Sequence, residues 1–434
     1  MAPGFCYTGA VANMRGGPMK IFHLSDLHIG KRVYEYSMIP DQEYILARIL
    51  EMIREEKPDA LIIAGDVYDR PVPPREAVAL LDDLLEKAAE LCPAVFMISG
   101  NHDSAERIAF GGGLMEKSGV YLSPVYGGSL KRIRLEDGEG PVDFYLLPFV
   151  RPVNIRKALE AQGPENGGSA ETPDAPESLD ELEIAGAREM QDAQEIHTYT
   201  EAVARALEGL PVDPEARNVL VSHQFVTGAS RCESEEVSIG GLDNVDASAY
   251  KGFDYVALGH IHSPQNVAGE EDQVIRYSGT PLKYSFSEAG QEKSVTVVNL
   301  EKGKKPVVET LNLTPLREMV ELKGSYEEIT ARDFYKGTTW QEDYVHITLT
   351  DEEDVPDAAA RLRTIYKNLM RIDYDNRRTR SSWTPDGGEE IAERSPEELI
   401  EEFFHKMNDR EMSRDQRDLC TSILRSLDEQ EPER

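Results

Sequence analysis

From residue 19 onward, short apolar runs alternate with stretches of helical period: MKIFHL, a helix near 41–56, ALIIA, a helix near 74–91, then AVFMI. Runs that are apolar on both faces and separated by helices predict a layered α/β core with buried strands. Each run ends in a polar cluster: SDLHIG, GDVYD and SGNHD. Ligands in such sheets gather in the loops just past the carboxyl ends of the strands. That rule puts Asp26, His28, Asp66, Asn101 and His102 in one neighbourhood. Further strands are expected in VLVSHQF, FDYVALGHIH, VIRYSGTPLKYSF and SVTVVNL.

Two segments interrupt this texture. Residues 160–195 carry eleven acids and one arginine, with Gly, Ser and Pro at their start, and are expected to form an exposed, partly disordered insertion. Past residue 313 the order becomes EMVELKG, a helical stretch, YVHITLT and a helix through DAAARLRTIYKNLM, which predicts a small separate α/β domain over 313–380. On that last helix Arg363, Lys367 and Arg371 recur every four residues and would share one face, either solvated or in contact with a phosphate backbone; Arg377, Arg378 and Arg380 follow. A linker over 381–394 leads to a tail over 395–434. Ser395, Pro396 and Glu398 form one helix start, and Ser413 with Gln416 forms another. Leu399, Ile400, Phe403, Phe404 and Met407 make an apolar stripe suited to a partner helix. Residues 1–18 read as a disordered lead ahead of a main domain over 19–312, with Met19 a second candidate start.

Composition narrows the chemistry. No run of about 18 apolar residues occurs, so no membrane-spanning helix is expected, and the N-terminus lacks the apolar segment of a secretory signal. Cys6, Cys92, Cys232 and Cys420 are scattered, without a CxxC pair, which fits a reducing cytoplasm better than a disulfide framework. The formal net charge of −33 opposes any stand-alone phosphate binder. Metal ions, a small basic face or a partner would have to supply the positive charge.

Five of the nine histidines and several aspartates fall in the motifs Asp26-x-His28, Gly65-Asp66-Val-Tyr-Asp69, Gly100-Asn101-His102-Asp103, His223 and Gly259-His260-Ile-His262. Any one alone reads as an ordinary turn; together, at successive strand ends, they read as a metal centre. Oxygen and imidazole donors without thiolate suit manganese, iron or zinc. Two ions about 3.5–4 Å apart can share one carboxylate, and Asp66 is the natural bridge. One ion would take Asp26, His28 and His262, the other Asn101, His223 and His260. His102 is then free to act as an acid on a leaving oxygen. Asp103 either orients His102 or caps its loop, and Asp69 is a candidate hydrogen-bond partner of the site. His23 is expected in the core, and His197, His346 and His405 in scaffold roles.

These motifs resemble the calcineurin-like metallophosphoesterase superfamily over roughly residues 20–300, with His102 matching its catalytic histidine and the seven ligand positions all filled. MKIFHLSDLHIGK, GDVYDRPVPP, LPFVRP, DYVALGHIHSPQ and YSGTPLKYSFSEAGQEKSV are similar to the bacterial SbcD nuclease-subunit family. The resemblance implies a four-layer β-sandwich flanked by helices, with a small α/β capping domain and C-terminal helices. It also implies a manganese-dependent DNA exonuclease and hairpin endonuclease with two divalent ions. Its implied partners are DNA, an SMC-like ATPase (SbcC) held through the C-terminal helices, and a second nuclease subunit within a heterotetramer. Asp69 stands where eukaryotic relatives carry a histidine. The competing enzyme reading is a small-molecule or cyclic-nucleotide phosphodiesterase, which leaves the last 120 or so residues without a task. A metal-free scaffold is the third, and it should have lost ligands.

Overall fold

The computed structural model describes residues 17–162, 196–235 and 244–376, together with scattered positions between 400 and 420. The N-terminal lead through residue 16, the acidic insertion from 163, Arg377, Arg378, Arg380, the linker and most of the tail lie outside the described residues. The chain divides into two compact units, one of residues up to 348 plus 355–373, the other of 349–354 plus 374–434.

In the first unit two six-stranded sheets form the frame. The first runs in the order β12-β11-β1-β2-β3-β4, with β1 Met19–Leu24, β2 Ala60–Ala64, β3 Ala94–Ile98, β4 Val120–Leu122, β11 Ser294–Leu300 and β12 Val307–Asn312. Its strands β1 to β4 are mutually parallel, and β11 joins β1 antiparallel. The second runs β9-β10-β8-β7-β6-β5, with β5 Lys131–Asp137, β6 Gly140–Leu146, β7 Arg217–His223, β8 Tyr255–Gly259, β9 Gln265–Val267 and β10 Val274–Tyr277. Strands β6, β7, β8 and β10 are parallel there.

The period-2 alternation of side chains sorts each strand between two cores. Ile21, Ile62 and Phe96 of the first sheet pack with Phe144, Val221 and Ala257 of the second in the sandwich interior, where Phe96 stacks on Phe144 at 4.2 Å between ring centroids. The alternate residues Phe22, Leu61, Ile63 and Val95 face outward and bury the apolar stripes of α1 Ile39–Glu56 and α2 Arg75–Leu91. Tyr145, Leu220 and Val256 do the same on the other side, against Ala202, Val203 and Ala206 of α3 Tyr199–Leu207. The layers are therefore helix, sheet, sheet, helix, as expected of the fold.

A three-stranded sheet, β13 Met319–Gly324, β14 Tyr344–Leu349 and β15 Asn368–Tyr374, follows in the chain. Within the first unit its base is tied to α1: the buried Asp41 carboxylate accepts from Arg317 Nη1 at 2.6 Å and from Tyr344 Oη at 2.7 Å. Here the sequence expectation needs correcting. The helix through DAAARLRTIYKNLM closes after Ala358–Leu362, and residues 368–374 are a strand. Thr364, Ile365 and Tyr366 are poor helix formers, and Tyr366 is buried with its hydroxyl on Ile329 O at 2.8 Å. Sheet pairing then wins over the four-residue spacing. Arg363, Lys367 and Arg371 consequently lie on a helix cap, a connecting loop and a strand rather than one helix face. Lys367 pairs with Glu342, and Arg371 with Asp373 at 2.8 Å. In the tail, the expected cap is present: Ser413 N–H donates to Gln416 Oε1 at 3.0 Å, and Gln416 N–H donates to Ser413 Oγ at 3.3 Å.

Candidate metal centre

The loops that leave β1, β2, β3 and β8, with the last residue of β7, His223, bring all seven expected ligands to one end of the sandwich. Four of them sit in left-handed backbone: Asp26 at φ 52°, His28 at 44°, Asp66 at 45° and His260 at 103°. Such conformations cost non-glycine residues on the order of 1–3 kcal/mol each and persist only where the surroundings impose them. The imposition is a ladder between the first two loops, in which Asp26 N–H donates to Gly65 O at 3.0 Å and His28 N–H to Asp66 O at 2.9 Å. The glycines ahead of the ligands answer to space. A Cβ on Gly100 would stand 2.1 Å from Asp66 Oδ1, and one on Gly259 would stand 1.9 Å from Ala64 O.

Asp66 is the hub. Its Oδ1 accepts the His102 amide at 2.9 Å, while Oδ2 faces His223 Nε2 at 3.3 Å, His28 Nε2 at 3.7 Å and His102 Nε2 at 3.9 Å. On one side, ligand atoms of Asp26, His28 and His262 lie within 4.8 Å of one another, as do those of Asp26, Asp66 and His223. On the other, Asn101 Oδ1 lies 3.1 Å from His223 Nε2 and 3.0 Å from His260 Nδ1. Asn101 lies with His223 and His260, and Asp26 with His28 and His262, whereas the group of Asp26, Asp66 and His223 crosses the two expected sets. A third cluster joins His28 and His102 to Asp69, whose carboxylate is paired with Lys31 at 2.7 Å and whose carbonyl faces His102 Nδ1 at 3.2 Å. Asp103 makes the bonds of a loop clamp: its carboxylate accepts from the amides of Val67, Tyr68 and Gly100 at 2.9–3.0 Å.

Burial sets the electrostatics. It pushes the Asp26 carboxyl up to about 7 and that of Asp103 up to about 6. For Asp66 burial acts the same way, but His223, His28 and His102 outweigh it and hold the group well below the carboxylate range. Burial drives His28 and His262 well below the ordinary imidazole value, which leaves them neutral donors of a lone pair. Against the pull of burial, the charge of Asp66 pushes His223 up to about 9. Imidazoles, carboxylates and an amide oxygen crowded within contact of one another are the donor set that a pair of divalent cations takes.

Residues that the sequence did not single out complete the floor. Gln42 Nε2 donates to the carbonyl of His28 at 2.8 Å and to Tyr284 Oη at 3.0 Å, and Tyr284 Oη in turn donates to Leu27 O at 2.7 Å. Glu235 Oε1 accepts the His262 amide at 2.7 Å. Gln42 lies in the first turn of α1, outside every motif, so spacing could not have found it. Tyr284 does stand in the YSGTPLKYSF run. His23 is a core residue as expected, with Nδ1 2.8 Å from Tyr255 Oη.

Residues 19–264 match the family described as calcineurin-like phosphoesterase, and residues 315–408 match the type 5 capsule protein repressor C-terminal domain. The chain is similar to the SbcD component of the SbcCD nuclease of Staphylococcus epidermidis, with 29% identity over 418 residues, 94% of this chain and 98% of the relative. Among solved structures, a dimetal phosphatase from Danio rerio aligns over 68% of this chain and 99% of its own at 12% identity, with a TM-score of 0.36. A protein from Thermus thermophilus aligns over 68% of this chain and 100% of its own, also at 12%, with a TM-score of 0.34.

Because Asp66 reaches both halves of the cluster, Asp66→Ala is expected to weaken manganese binding by more than the roughly 10–100-fold typical of losing an outer partner of a ligand. Titration calorimetry of the folded variant reads this directly, and two ions bound with native affinity would contradict the placement of Asp66.

Proposed function

Since the chain belongs to the calcineurin-like phosphoesterases, we propose that it hydrolyses phosphodiester bonds of DNA, as a double-strand exonuclease and hairpin endonuclease working with an SMC-like ATPase in break repair and recombination. The observation that carries the reading is the cluster of Asp26, His28, Asp66, His223 and His262 in a chain similar along 94% of its length to a nuclease component. A small-ester phosphodiesterase needs the first of these features only.

Asp26, His28 and His262 would hold one ion, Asn101, His223 and His260 the other, with Asp66 shared. When bound, the ions, manganese in our reading, supply Lewis-acid charge to the phosphate and make a water acidic enough to attack it. Asn101 offers its carbonyl oxygen and so adds no negative charge to a site that must accept an anion. In its protonated form, with Nδ1–H held by the Asp69 carbonyl, His102 has Nε2–H left to give to the leaving oxygen. Asp103 positions His102 through the backbone, by tying its loop to the one that carries Asp66.

Beyond the centre, Arg363, Lys367 and Arg371 are our candidates for contacts to the DNA backbone, and the tail helices for the ATPase contact. Exposed Val72, Phe110 and Leu114, on the connections that follow β2 and β3 and 68–83% accessible, support a second nuclease subunit as partner. Among the described residues no helix is long and apolar enough to cross a membrane, and we place the protein in the cytoplasm.

The test is manganese-dependent cleavage of linear and hairpin DNA beside a small chromogenic diester, with His102→Ala as control. DNA cleavage reduced about 10²–10⁴-fold in a variant that keeps its metals is the expected result. Cleavage of the small ester alone, even with the ATPase and ATP added, would sink the nuclease reading. Changing Arg363, Lys367 and Arg371 together to Glu should weaken DNA binding at low salt; unchanged affinity would return these cations to solvent. The ATPase should co-purify with the full chain and not with residues 1–394, and retention by the shortened chain would refute the tail assignment.

A further inference from the structure

Behind His262 lies a line of polar side chains that the ligand set does not use. Lys293, 4% exposed, donates from Nζ to Glu288 Oε2 at 2.5 Å and to the His262 carbonyl at 3.0 Å. Glu288, fully buried, accepts at Oε1 from Ser234 Oγ at 2.5 Å. Ser234 Oγ in turn lies 2.7 Å from His262 Nδ1, while the other ring nitrogen, Nε2, faces His28 Nε2 at 3.2 Å.

The proton count along this line has one solution. A carboxylate paired with a lysine ammonium can only accept, so the single hydrogen of the Ser234 hydroxyl goes to Glu288. The hydroxyl then has only lone pairs to turn toward His262, and Nδ1 must carry the hydrogen. A neutral imidazole has one N–H, which leaves the lone pair on Nε2, at the atom that faces His28. Residue Glu235, next in the chain, holds the His262 backbone N–H at 2.7 Å, so neighbouring residues fix both ring and main chain. His223 has its Nδ1 hydrogen fixed by a simpler route, that nitrogen lying 2.8 Å from the Ala64 carbonyl oxygen.

We propose that Ser234 and Glu288 form a relay that locks His262 as the Nδ1–H tautomer and so aims its Nε2 lone pair at a divalent cation held with Asp26 and His28. Both are positioning residues: they act on the cation only through His262. The relay rests on His262 being a ligand, the assignment made above.

The full-length chain tests this with manganese alone and no DNA. Ser234→Ala is expected to weaken one of the two manganese sites about 10–100-fold by titration calorimetry, the usual cost of removing a ligand's hydrogen-bond partner. In the metal-free protein, ¹⁵N shifts of the His262 ring should move from the Nδ1–H pattern to a mixture of tautomers, and Ser234→Thr should restore both readouts. Glu288→Gln, whose amide can donate, should push the ring toward Nε2–H. His262→Ala separates the two failures. Native manganese affinity in His262→Ala would overturn the ligand assignment and the relay with it. Loss there, with native affinity and an unmoved ring pattern in Ser234→Ala, would overturn the relay alone.

Discussion

The burial of the Asp66 carboxylate among three imidazoles is the constraint around which the strand ends are arranged. An isolated carboxylate at that depth would be held neutral or pushed out toward water. Here His223 above all keeps it charged, and the His102 amide fixes the oxygen that does not face the imidazoles. To bring those groups so close, the chain takes left-handed turns at Asp26, His28, Asp66 and His260 and strips the Cβ from Gly100 and Gly259. The sandwich supplies the rigidity that such turns require. Two sheets packed face to face, each backed by helices, present the carboxyl ends of parallel strands at one edge and leave the loops no alternative course.

That dependence explains what was legible in the sequence. Strands apolar on both faces announce a sheet covered on both sides, and polar clusters at their ends announce where ligands would meet, so the α/β layers and the gathering of the seven candidate residues could be read directly. Asp103 showed the right neighbourhood, while its three amide bonds to Val67, Tyr68 and Gly100 depend on a loop crossing that no linear spacing reveals. The stretch after Leu362 misled for a different reason. Its basic residues keep a helical rhythm, yet Thr364, Ile365 and Tyr366 favour extended backbone, and pairing with a neighbouring strand decided the outcome. Gln42 and Ser234 were illegible because they lie outside every motif, and Glu288, though inside YSGTPLKYSFSEAGQEKSV, reaches His262 only through Ser234; Gln42 caps the His28 carbonyl.

The acidic balance of the chain fits this arrangement. Many surface cations are spent on neighbouring acids, among them Lys20 on Glu56, Lys87 on Asp83 and Lys304 on Glu301. A chain of net charge −33 that handles a polyanion must concentrate its positive charge. In the proposed function a cation pair beside Asp66, His28, His262 and Asn101 would supply that charge, and a DNA-binding partner would carry the remainder of the affinity.

Anomalous diffraction from crystals grown with manganese tests the central claim most directly. Two peaks flanking the Asp66 carboxylate are expected, one against Asp26, His28 and His262 and the other against Asn101, His223 and His260. A single peak, or a pair that leaves Asp66 outside the coordination of either ion, would contradict the account.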